Sequence, residues 1–137
     1  MGRILAIDYG QKRTGLAVTD FLRITANPLL TVETATLRNW LTAELAKGEI
    51  DTVVIGHPTQ LNGEDSASMQ YIRPFEEWFR KQFPIIPLVP YDERFTSTLA
   101  HRAMIDGGMK KKNRRDKAVV DKIAACIILE GYLDSLR

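Results

Sequence analysis

Residues 50–56 read IDTVVIG, a nearly continuous apolar run bounded by Gly48 on one side and His57-Pro58 on the other. Its length suits a strand rather than a core helix. A strand that alternates apolar and polar residues can leave one face to water, but one that does not needs both faces covered. The chain must therefore build a sheet with helices on each side.

The remaining elements are read around that strand. Residues 3–9 (RILAIDY) form a second buried strand, Gly10 to Arg13 a turn, and 14–19 (TGLAVT) an alternating hairpin partner. A third extended stretch covers roughly 23–33, with Pro28 placing it at an edge or a bulge. Residues 36–47 predict a helix with Leu37, Trp40, Leu41 and Leu45 on one stripe and Gly48 as its stop. Met69, Ile72, Phe75 and Phe79 predict the inner face of a helix from about 66 to 82, which Pro74 is expected to kink or divide. A fifth strand is read over 85–91 (IIPLVPY). Thr96 or Ser97 caps a helix ending at Asp106 before Gly107-Gly108, and a last helix covers about 117–135. Strands alternating with helices after an antiparallel start predict an α/β fold, a five-stranded mixed sheet flanked by helices.

A chain of 137 residues with 45% apolar composition suits one domain spanning 1–137. No apolar run is long enough to span a bilayer and no leader precedes the first strand, so a cytoplasmic location is expected, with no membrane partner. The lone Cys126 excludes an internal disulfide and a cysteine-based zinc site, and its apolar neighbours mark it as a small core residue. His57 and His101 lie far apart in sequence and suggest no zinc site. Trp40, Phe75, Trp78 and Phe79 sit at helical spacing and read as core or near-core residues.

Open α/β sheets place their sites at the carboxyl ends of the strands. Asp8 ends the first strand there, and Asp92 and Glu93 follow the fifth. Helical spacing puts Asp121 on one face with Ala124, Ala125, Ile128 and Tyr132. Asp8, Glu93 and Asp121 are thus three acids that can converge. Clustered carboxylates repel one another unless a cation joins them. Magnesium or manganese answers that need, and two such ions about 4 Å apart activate water and stabilise a leaving phosphate oxygen. Gly10 and Gly15 would let a backbone or a phosphate approach Asp8, and Lys12, Arg13 and Arg94 would hold phosphates. Plainer readings compete: Asp8 as a turn residue, the Asp92-Glu93-Arg94 stretch as a surface ion pair, Asp121 as a first-turn acid favoured by the helix dipole.

Net charge is only +2, yet residues 110–117 (KKKNRRDK) hold six basic side chains against one acid. Such a run is either a solvated loop or a patch for a polyanion such as nucleic acid.

Four stretches, AIDYGQKRTGLAVTD, VVIGHPTQLNGE, DERFTS and VDKIAACIILEGYL, resemble the bacterial YqgF (RuvX) family in order and spacing over essentially the whole chain. The resemblance implies a ribonuclease H-like fold and a metal-dependent endonuclease that matures the 5′ end of precursor 16S ribosomal RNA. It places the family's acidic, metal-holding site on Asp8, Glu93 and Asp121. It matches Arg94 and the basic segment (Lys110, Lys111, Lys112, Arg114, Arg115) to positions that meet nucleic acid. One departure is the GHP and QLNGE of this chain, where the family often has GLP and NMDGT. The family is also similar to Holliday-junction resolvases of the RuvC type, so a resolvase acting on branched DNA is an alternative, as is a non-catalytic ribosomal-RNA-binding assembly factor. The expected assembly is a monomer or a homodimer; a resolvase would require the dimer. DYGQKRTG also looks like the phosphate loop of actin and sugar-kinase type ATPases, but those enzymes close two such domains around a nucleotide.

Overall fold

The computed structural model describes residues 2–58, 67–92 and 117–136, with 117 and 118 described by backbone alone. Five strands form one sheet: β1 (Arg3–Asp8), β2 (Arg13–Thr19), β3 (Ala26–Glu33), β4 (Ile50–His57) and β5 (Leu88–Asp92). Their order across the sheet is β3-β2-β1-β4-β5. β1, β2 and β3 pair antiparallel, and β4 and β5 extend the sheet in parallel. β4 is buried from Val53 to Gly56, as its apolar run requires.

Helices α1 (Leu37–Leu45), preceded by a 3-10 turn at Thr34–Thr36, and α2 (Met69–Gln82) cover one face. That core joins Leu5 and Ile7 of β1, Leu16 and Val18 of β2, and Val53 and Ile55 of β4 to Leu37, Leu41, Phe75 and Phe79. Trp40 and Trp78 pack against it partly buried. Helix α3 (Lys117–Ser135) covers the other face, where Ala125, Ile128 and Leu129 meet Ile4, Ala6, Ala17 and Val54. Alternation along β1 thus sends residues 4, 6 and 8 toward α3, and residues 5, 7 and 9 toward α1 and α2.

Several element limits differ from the expectation. The third strand begins at Ala26 rather than near 23, because Arg23 adopts φ 57° in a turn where Asp20 accepts the backbone N–H groups of Ile24 and Thr25. β3 lies at the sheet edge, and its register with β2 shifts beside Pro28, in keeping with the missing N–H. Pro74 does not divide α2, which runs unbroken through it; Ile72, Phe75 and Phe79, all about 1% exposed or less, hold both halves to the sheet. The fifth strand begins at Leu88, not at 85. Ile85 stands 92% exposed in a turn closed by the Ile86 N–H on the Phe83 carbonyl. The helix expected over 96–106 lies outside the described residues.

Candidate active site

The site is built where β1 ends. Asp8 pairs directly across the sheet with Gly15 of β2, so both point toward α3. A Cβ on Gly15 would stand 2.0 Å from the Asp121 carbonyl oxygen and 2.3 Å from its carbon. Only glycine leaves room for the backbone of α3 there. This one position brings the first and last described elements together and sets Asp121 over the end of β1. Ala124 and Ala125 continue the close approach one turn later, both buried.

Asp8 and Asp121 therefore converge, as the sequence predicts. Burial, and next to it the negative charge of Asp121, push the Asp8 carboxyl up to about 7. Among the described residues no hydrogen-bond donor reaches Asp8. Asp121 is different: its Oδ2 accepts from Arg13 Nε at 3.1 Å, with the two side chains 24% and 38% exposed. Arg13 shares the α3-facing side of β2 with Gly15 and Ala17, so strand alternation aims it at the helix. Arg13 thus pairs with Asp121, while burial and the Asp121 charge hold Asp8 toward its neutral form. Two converging carboxylates are oxygen donors of the kind a hard divalent cation takes. No third metal-binding side chain joins the two acids among the described residues.

Other expectations are corrected. Of the two approaches expected at Gly10, the structure shows that of a backbone: a Cβ there would lie 2.2 Å from the Arg13 carbonyl oxygen, so the glycine closes the turn. Arg13 Nε bonds Asp121 on a side chain that is 38% exposed. Asp121 is the fifth residue of α3 and lies beyond its first turn, so the helix-dipole reading lapses. Asp92 lies across from His57 in the register. Strand alternation puts it on the α2-facing side with Leu88, opposite Asp8. Lys12 is exposed in the turn after β1. Glu93, Arg94, Lys110, Lys111, Lys112, Arg114 and Arg115 lie outside the described residues.

One pair escaped the sequence reading. Glu76 of α2 is 4% exposed, and His57 Nε2 lies 2.6 Å from its Oε2 at the end of β4. The only sequence signal is that Glu76 follows Phe75 inside the apolar stripe of α2. Cys126 is a buried core thiol, as expected; burial and then the nearby Glu130 carboxylate push it up to about 11.

A family model described as RuvX, Holliday junction resolvase, matches residues 2–135. A protein of Phocaeicola vulgatus named "Putative pre-16S rRNA nuclease" is 53% identical over the whole of this chain and 99% of its own length. A protein of the same name from Porphyromonas gingivalis is 51% identical over 98% of each chain. Among solved structures, T. thermophilus RuvC in complex with a Holliday junction substrate aligns with TM-score 0.56 at 18% identity, covering 99% of this chain and 96% of that one. The fowlpox virus Holliday junction resolvase aligns with TM-score 0.55 at 17% identity, covering 97% and 99%. At such identities these two establish the shared resolvase-like, ribonuclease H-like fold.

Proposed function

Because the chain belongs to the RuvX family, we propose that it is a nuclease hydrolysing phosphodiester bonds in the precursor of 16S ribosomal RNA. The observation that carries this reading is the convergence of Asp8 and Asp121 over Gly15. Asp8 and Asp121, with Glu93 as the family resemblance implies, would hold magnesium or manganese. When bound, such an ion lowers the pKa of a water and steadies the charge on the leaving oxygen. Asp8 would do its part as a carboxylate, releasing to solvent the proton that burial favours on it. Asp121 is held in place by the helix backbone locked on Gly15, while β1 fixes Asp8, so neither must be reorganised before reaction. Lys12, Arg94 and the basic residues Lys110, Lys111, Lys112, Arg114 and Arg115 bind the polynucleotide backbone. In-line attack of water at phosphorus leaves a 5′-phosphate and a 3′-hydroxyl.

The test is cleavage of a precursor transcript spanning the 5′ processing site by purified protein with magnesium. Asp8→Asn and Asp121→Asn are expected to lose at least about a hundredfold in rate while keeping the fold. Cleavage by Asp8→Asn at the wild-type rate overturns the proposed site.

The description of the matching family as Holliday junction resolvase favours one other reading, a nuclease acting on branched DNA. Such an enzyme nicks two strands in concert and works as a dimer. Cleavage of a synthetic four-way junction in preference to the precursor transcript, by a protein that sediments as a dimer, would select it.

A further inference from the structure

We infer that Arg13 is the resident counter-cation of the Asp8–Asp121 pair and exchanges places with the divalent ion. The inference rests on the metal-holding reading of these two acids.

Three observations lead to it. The backbone of Asp121 is locked against Gly15, so α3 cannot carry its carboxylate away from Asp8 without leaving the sheet. Arg13 Nε on Asp121 Oδ2 places a positive charge beside the two acids in the structure without metal. Second, the Arg13 bond goes to Asp121 Oδ2, while Asp8 stands across from Gly15 at the end of β1, so the two acids do not share the guanidinium through this bond. A divalent ion held by both acids would neutralise more charge than Arg13 can. Third, Arg13 is the movable partner. Its side chain is 38% exposed, and Glu33 lies directly across from it on β3, on the same face, as an acceptor once Asp121 is given up.

Arg13 is therefore a positioning residue. It keeps Asp121 aimed at Asp8 while the site lacks metal and competes with the metal for the same oxygen. Its loss has opposite effects on the two states: the metal-free protein loses an ion pair, and the metal-bound protein loses a competitor.

The experiment uses the full chain and two readouts other than activity. Manganese binding is measured by calorimetry on wild type, Arg13→Gln and Arg13→Lys, and the Arg13 Nε–H resonance of the wild type is followed by nuclear magnetic resonance during magnesium titration. Arg13→Gln is expected to bind manganese about fivefold more tightly than wild type, the scale of a partly exposed ion pair, with Arg13→Lys between the two. The Nε–H is expected to shift and to exchange faster with solvent at saturating magnesium. An Nε–H that keeps its position and protection in metal-saturated wild type overturns the exchange while leaving the metal site intact. Wild type that takes up no manganese overturns the metal site itself, and the exchange with it. If Arg13→Gln fails to fold, the resonance of the wild type decides alone.

Discussion

Asp8 concentrates the tension between folding and function in a single side chain. Its carboxyl is pushed up to about 7 in the native state, by burial first and the Asp121 charge second, against an ordinary value of 3.8. Between these two values the native state retains a proton that the unfolded chain releases. Stability without metal therefore falls as pH rises from about 4 to about 7, and the cost is complete above that window. Asp8→Asn removes the cost. It is expected to exceed wild type in unfolding free energy by about 2 kcal/mol at pH 8 in chelator and to match it near pH 4, as read from urea unfolding at the two pH values. A saturating divalent ion should erase the wild-type deficit. The position of both acids was legible beforehand. Period-two counting puts Asp8 on the face of Ile4 and Ala6, and helical counting puts Asp121 above Ala124 and Ala125. Which cation neutralises them was not legible. The Arg13 partner lies 108 residues away, and nothing local to DYGQKRTG says where a distant helix will land.

At the level of elements, two contacts tie helices to the sheet at its functional end, one on each face. Gly15→Ala drives a Cβ into the Asp121 carbonyl, so α3 must lift or β2 must bend. An overpacked contact against backbone of this kind is expected to cost about 3 kcal/mol in thermal unfolding, and separating the acids should also weaken manganese binding. On the other face, His57→Ala leaves Glu76 buried without its partner at the end of β4. It is expected to destabilise the protein by about 2 kcal/mol, with part of that loss recovered when Glu76→Gln is added, as a double-mutant unfolding cycle would reveal. These contacts explain what the sequence concealed at this scale. Apolar periodicity located α1, α2, α3 and β4, because it reports which residues seek a core. It misjudged the start of β5, where Ile85 and Ile86 look strand-like but a turn intervenes. It was also silent about Glu76, since a charged residue in an apolar stripe makes sense only once His57 is known to face it.

For the molecule as a whole, charge and shape divide the labour. Asp8 and Asp121 meet at the carboxyl end of the central strand, while six of the basic side chains crowd into residues 110–117 of a chain whose net charge is only +2. Replacing Lys110, Lys111 and Lys112 with alanine is expected to weaken RNA binding and to lower the slope of log affinity against log salt by about two units, one lost phosphate contact per lysine on a single strand. A slope equal to that of wild type would assign the run to solvated surface. The interlock of Gly15 with Asp121 has a temporal meaning as well. During synthesis β1 and β2 emerge early, yet half of the acidic pair arrives only with residue 121. On the proposed site, a chain that has not yet reached residue 121 lacks half of the acidic pair and would be unable to cut the RNA around it.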